Sequence, residues 1–223
     1  MSVKLFFGTL FKFALGIILI GLLIFLPAGS FAFVNGWIFM GVLFIPILIA
    51  GVVMMIKNPS LLKKRLESKE KQKEQNVVVK LSGLMFLAGF IVAGLNFRFG
   101  WHSLPNGVDI AASVVFIIGY IIYAEVLREN TYLSRTIRVE ENQKVISDGL
   151  YGIVRHPMYS ATLLLFLTMP LILGSLYSFF IFLVYPVLIA VRIKHEEAML
   201  EKELEGYSEY KKKVKYKLIP FIY

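Results

Sequence analysis

Cysteine is absent from the 223 residues, which excludes disulfides, a thiolate nucleophile and any thiolate metal site, and leaves the redox compartment unread. Histidine is almost as scarce. His102, His156 and His195 are too scattered to make a metal site by spacing, so no metal is expected. Charge is thin as well: 17% of residues are charged against 57% hydrophobic, and mean hydropathy is +0.71. A chain this apolar at this length is expected to be an integral membrane protein. Acidic residues are the rarer sign, 15 against 24 Lys and Arg, for a net charge of +9. The basic residues fall in blocks between apolar runs, which fits anionic lipid headgroups; the bilayer is the expected partner and nucleic acid is not.

The apolar runs set out the architecture. Residues 5–26 are too long for a signal-peptide core and lack a small-residue cleavage pattern, so they read as a spanning helix that stays in place. Lys12, near one end of it, reaches the headgroups along its flexible stem. Residues 27–30 turn the chain and residues 31–56 form a second span, kinked at Pro46. Residues 57–76, with seven Lys or Arg and three Glu, read as a solvated polar loop. Residues 77–97 and 108–127 are the third and fourth spans, joined by a turn with Trp101 at the interface. Glu125, near the end of the fourth span, faces protein or a polar cavity, as an internal partner of Arg128 or as part of a site. Residues 128–154 are a long connection whose Ile137-Arg-Val alternation and Gly149 suggest a packed functional loop.

Residues 158–193 are 36 nearly unbroken apolar positions. One helix of that length would run about 54 Å, well beyond a hydrocarbon core of about 30 Å. A tight helical hairpin turning at Gly174-Ser175 is therefore expected, with Pro170 and Pro186 bending its arms. The fold expected is all-α: a polytopic membrane helix bundle of about six passages, the last two a short hairpin, followed by an amphipathic C-terminal helix. Residues 1–127 would be scaffold helices and residues 128–223 a cofactor-binding catalytic region. Loops at 57–76, 128–157 and 192–223 hold seven, five and eight Lys or Arg, while the alternate loops hold none, one and none. By the positive-inside rule both termini and the active site are expected to be cytoplasmic.

The chemistry gathers at the two ends of the hairpin. Pro157 is suited to the first position of a helix, which places Arg155 and His156 beside free amides and a positive dipole end. Tyr159 follows one turn later. At the hairpin exit Arg192 and Glu196 share a helix face, with Glu197 next to them. The topology carries both groups to one membrane face. Arginine, carboxylates and tyrosines together suit a zwitterion, Arg155 taking a carboxylate and Glu196 or Glu197 an ammonium. S-adenosylmethionine carries both groups and a methyl activated on a sulfonium.

The ordered set Gly149-Leu150-Tyr151, Arg155-His156-Pro157, Tyr159, Arg192, Glu196-Glu197, Tyr207, Tyr210, then Leu218-Ile-Pro220-Phe221 resembles the isoprenylcysteine carboxyl methyltransferase family. The resemblance runs from about residue 128 to the end; residues 1–100 match only as membrane helices. It implies S-adenosyl-L-methionine as cofactor and a lipophilic acceptor, an isoprenylcysteine-like carboxylate, entering from the bilayer. It also implies Gly149, Leu150, Tyr151, Arg155, His156, Pro157 and Tyr159 on one cofactor wall and Glu196, Glu197, Tyr207 and Tyr210 on the other. Arg192 would orient the acceptor carboxylate, with Glu196 as the second catalytic residue. Lys144 stands where the family's histidine is expected. Related phospholipid N-methyltransferases share the architecture and would offer an amine acceptor. Membrane sterol reductases, which use NADPH, end in a similar pattern.

Overall fold

The structure, a computed structural model, describes residues 3–66, 73–101, 104–105, 107–133, 139 and 142–223. Among these residues every regular element is helical. The helices are α1 (Val3–Ala28), α2 (Val34–Lys57), α3 (Pro59–Leu66), α4 (Lys73–Phe99), α5 (Val108–Glu129), α6 (Pro157–Ile172), α7 (Leu176–Phe182), α8 (Tyr185–Glu203) and α9 (Tyr207–Lys213). Five stretches are long and apolar enough to span a bilayer: Phe6–Ala28, Val34–Lys57, Gln75–Phe99, Val108–Glu129 and Leu176–Glu203. Helix α6 is apolar as well but has 16 residues, about 24 Å, shorter than those five. The chain is an integral, multi-pass membrane protein, as its composition requires.

Small residues allow the close approaches. A methyl group on Gly94 would lie 2.5 Å from the Ile24 carbonyl oxygen of α1, and one on Gly89 would lie 2.3 Å from the ring of Phe182 in α7. In lipid, where apolar burial gives little drive for helix association, such approaches supply the packing that holds helices together. Around α4 the rings of Phe39, Phe90, Phe116 and Phe182 are buried against one another at centroid separations of 5.5 to 6.4 Å. Helix α5 lies along α6.

The hairpin turns where glycine permits it. Gly174 adopts φ +69°, and Ser175 caps α7 by accepting the Ser178 N–H at 3.2 Å. The Asn35 side chain donates to the Ile172 carbonyl at 2.9 Å, satisfying the end of α6. Pro170 falls in the last turn of α6, whereas Pro186 starts a helix instead of bending one: the second arm breaks at residues 183–184 and resumes as α8. From there α8 runs unbroken to Glu203, so the amphipathic segment beginning at Arg192 is continuous with the second arm.

The polar loop expected over residues 57–76 is partly helical. Asn58 accepts the Leu61 N–H at 3.1 Å and Pro59 opens α3, which buries Leu61 and Leu62. The Lys12 ammonium, expected to reach headgroups, donates to the Leu66 carbonyl at 3.0 Å and so ties α1 to the end of α3. Glu125 pairs with Arg128 one turn on, at 2.5 and 2.8 Å. Residues 67–72, His102 and the Ile137-Arg138 pair lie outside the described residues.

Candidate active site

The entry to the hairpin is held by a turn that only glycine can make. Gly149 has φ +57° and opens the short 3-10 turn Gly149–Gly152; a Cβ there would fall 1.8 Å from a carboxylate oxygen of Glu129. That carboxylate, at the end of α5, accepts the Leu150 N–H at 3.0 and 3.1 Å. Next along, Asn130 donates to the buried Tyr151 hydroxyl at 3.0 Å. The end of α5 thereby fixes the start of the motif.

The residues after α9 then fold back over it. The backbone N–H groups of Arg155 and His156 each donate at 2.9 Å, to the carbonyls of Tyr216 and Lys217. The Arg155 side chain completes the closure, with Nε donating to Glu197 Oε1 at 2.7 Å and Nη1 to the carbonyls of Val214 and Lys215 at 2.7 and 2.8 Å. A guanidinium has five N–H donors, so among the described residues the two on Nη2 remain. His156 Nε2 lies 3.2 Å from the same Glu197 oxygen, and Lys217 and Lys211 lie 3.6 and 3.8 Å from the other. Glu197 is thus a buried hub that anchors hairpin, α8 and tail to one another.

A second cluster faces open space. Arg192 Nε donates to the Tyr159 hydroxyl at 2.9 Å, and that hydroxyl donates to Glu196 Oε2 at 2.5 Å. The His156 ring stacks beside Tyr159 with centroids 5.7 Å apart. Tyr210 donates to the Tyr151 carbonyl at 2.7 Å, which pins α9 to the turn. Tyr207 is buried, and its hydroxyl has no hydrogen-bond partner among the described residues. Burial pushes the phenols of Tyr151, Tyr207 and Tyr210 above the ordinary tyrosine range, so all are neutral at physiological pH.

These groups line one cavity, open on one side. Of the residues singled out from sequence, Tyr151, Arg155, His156, Tyr159, Arg192, Glu196, Tyr207 and Tyr210 reach its wall, and Lys144 does too. Gly149, Leu150, Pro157 and Glu197 stand behind that wall as its support. Glu125 is not part of it. Sequence reasoning passed over Glu129, Asn130 and the apolar lining from Met158, Met199, Leu200 and Leu204. For Glu129-Asn130 the signal was present: an acid and an amide directly at the end of a span, in line with a glycine turn.

A model of the phospholipid methyltransferase family matches residues 108–206, from the start of α5 to the residue before α9, and thus most of the cavity wall. Over 139 residues the chain is 28% identical to a Delta(14)-sterol reductase of Mus musculus, covering 55% of this chain and 33% of that protein. A Delta(14)-sterol reductase of Methylotuvimicrobium alcaliphilum is 27% identical over 137 residues, covering 55% and 32%. The chain spans about a third of the length of these curated relatives.

Proposed function

We propose that this protein is an S-adenosylmethionine-dependent methyltransferase acting on a lipophilic acceptor at the membrane surface. The observation that carries the reading is the Arg192–Tyr159–Glu196 chain on the wall of a cavity that also exposes Arg155 and an unpartnered buried hydroxyl. A guanidinium and a carboxylate facing one space complement a zwitterion, the charge pattern of the methionine end of the cofactor. When bound, the cofactor supplies an electrophilic methyl group on its sulfonium. The chain's task is then to orient and to exclude water: Arg155 Nη2 receives the cofactor carboxylate, Glu196 accepts from its ammonium, and Tyr207 donates its hydroxyl proton in a hydrogen bond. The family-model match over residues 108–206 supports the same reading.

The acceptor assigned is an isoprenylcysteine-like carboxylate, oriented by Arg192, which is buried near the middle of α8. An ionised carboxylate needs no base before it attacks. A phospholipid amine must shed a proton, for which Glu196 is the nearest acid in the cluster, and the description of the matching family model favours that acceptor as the alternative. In this reading residues 128–223 are the catalytic region, residues 1–127 its scaffold, and the cavity opens to the cytoplasm.

A reductase reading is favoured by the two sterol reductase relatives, which share about half of this chain. It asks the cavity to hold the phosphates of NADPH, whereas the Glu196 carboxylate faces the same space. Purified protein in one detergent, titrated with S-adenosylmethionine and with NADPH by thermal shift, separates the readings. Stabilisation by S-adenosylmethionine alone is expected; stabilisation by NADPH alone overturns the reaction class. Transfer of labelled methyl to a farnesylated cysteine derivative, and not to phosphatidylethanolamine, is expected next. The reverse outcome replaces the acceptor and leaves the cofactor assignment standing.

A further inference from the structure

The tail beyond α9 descends toward the bilayer. Along α6 the contacts with α8 run inward: Arg155 pairs with Glu197, the Tyr159 hydroxyl accepts from Arg192, and Tyr185 donates to the Thr162 hydroxyl at 2.9 Å. Glu197 lies beyond Ile193, where the apolar run 158–193 ends, and Tyr185 lies well inside it. The tail follows the same path. The carbonyls of Val214 and Lys215 are held by Arg155, whereas the Leu218 carbonyl accepts from the Ser160 hydroxyl at 2.5 Å, between the levels of Tyr159 and Thr162. Leu218 is buried in the main core, so the residues that follow it emerge from the bundle at the edge of its apolar zone.

There the chain closes on itself. The N–H groups of Lys217, Leu218 and Ile219 all donate to the Tyr223 carbonyl, at 2.9, 2.8 and 3.0 Å, and those of Ile222 and Tyr223 donate to the Ile219 carbonyl at 3.1 Å. The backbone is thus paired inward, and the apolar side chains go outward. Phe221 is 86% and Ile222 77% exposed, the two highest values for large apolar side chains among the described residues. Phe221 reaches that position with φ +66°, a conformation that residues other than glycine rarely adopt. The Lys217 ammonium lies 5.1 Å from the centre of the Tyr223 ring, an aromatic and a cation of the kind that suits a headgroup layer.

We propose that the loop Lys217–Tyr223 is a membrane wedge, with Phe221 and Ile222 seated at the boundary between headgroups and acyl chains of the bilayer that the chain itself spans. Its occupant is lipid because the loop continues the apolar zone of α6 and α8, where Val187 is 62% exposed within the span Leu176–Glu203. The exposed Lys213 and Lys215, on the stretch leading into the loop, then lie in the headgroup layer. The wedge does not depend on the reaction assigned to the cavity. It bears on the cavity's closure, since the carbonyls of Tyr216 and Lys217 receive the Arg155 and His156 amides. Seating the loop in lipid holds the tail down over the start of α6.

The absence of cysteine makes the test direct. Full-length Phe221→Cys and Ile222→Cys proteins, each spin-labelled in phosphatidylcholine nanodiscs, report collision with oxygen, which concentrates in lipid, and with a water-soluble nickel chelate. Val187→Cys serves as the lipid reference and Glu205→Cys, in the exposed turn between α8 and α9, as the aqueous one. Labels at 221 and 222 are expected to favour oxygen, as at 187. Preference for nickel, as at 205, overturns the wedge, and so does a label that neither reagent reaches, which would mean that a second copy or another protein covers the loop. Hydrogen exchange reads the closure. In the same nanodiscs the Arg155 and His156 amides of Phe221→Ser, Ile222→Ser double-variant protein should exchange about tenfold faster than in wild type. Unchanged exchange overturns the link between the wedge and the tail.

Discussion

Arg155 is both a brace and, in the proposed function, a ligand contact, and substitutions separate the two. Its pairing with Glu197 is nearly dry, the side chains being 4% and 6% exposed. Arg155→Ala leaves a buried carboxylate short of its best partner, and breaking such a pair costs about 3–5 kcal/mol. A marked fall in melting temperature is expected. Arg155→Lys keeps the charge but loses the fork that serves Glu197, the tail carbonyls and a ligand carboxylate at once; S-adenosylmethionine affinity should fall by about 10- to 150-fold. Tyr207→Phe is expected to do the opposite to stability. Deleting a buried hydroxyl with no partner should leave the melting temperature unchanged or raise it, while ligand affinity drops. A Tyr207→Phe protein that is destabilised and binds normally would show that the hydroxyl serves the fold alone.

At the scale of elements, the decisive pieces are the turn at Gly149 and the tail. Gly149→Ala combines a positive φ with a Cβ in contact with Glu129. The backbone conformation alone costs about 1–2 kcal/mol for a non-glycine residue, and the collision adds to it. Weakened ligand binding is expected, and Gly149→Ala with Glu129→Ala in the same chain should recover part of it; no recovery would mean that the collision is not the cause. Removing residues 207–223 takes away α9 and the strand of carbonyls that receives Arg155 and His156. The remaining helices should stay folded in detergent with no measurable cofactor binding. Binding at wild-type affinity by the truncated protein would put the site elsewhere.

For the whole molecule, charge asymmetry predicts sidedness and buried phenols predict alkaline sensitivity. Reporters fused at Lys63 and at Pro105 should label opposite sides of the membrane, Lys63 on the cytoplasmic one; labelling on one side would remove the six-passage arrangement. Tyr151, Tyr207 and Tyr210 have folded-state pKa values raised by burial, so the unfolded chain gives up its protons first. Their contribution is full below the unfolded tyrosine pKa of about 10 and is lost as pH rises above it. Melting temperature should therefore fall between pH 9 and 11 by more than in a Tyr151→Phe, Tyr207→Phe double variant.

Sequence alone determined the bundle, because the bilayer imposes a length and an apolarity that a run of residues either has or lacks. Residues 158–193 could not be one helix, and Gly174-Ser175 was the one place in them suited to a turn. Pro157 marked a helix start for a reason local to its own ring. Eight of the residues singled out for the site line one cavity because the hairpin returns Arg192 and Glu196 to the level of Arg155. Only the tertiary structure decided how those charges are shared. Glu197 and Glu196 are neighbours in sequence and equal in chemistry, yet a step of one residue along α8 turns one toward Arg155 and the tail and the other toward Tyr159 and open space. The Glu129 lock on Gly149, and Lys12 bound to the end of α3, were likewise beyond local reading. Each depends on partners 20 to 54 positions away, and sequence periodicity carries no information about which distant carbonyl or amide will come within 3 Å.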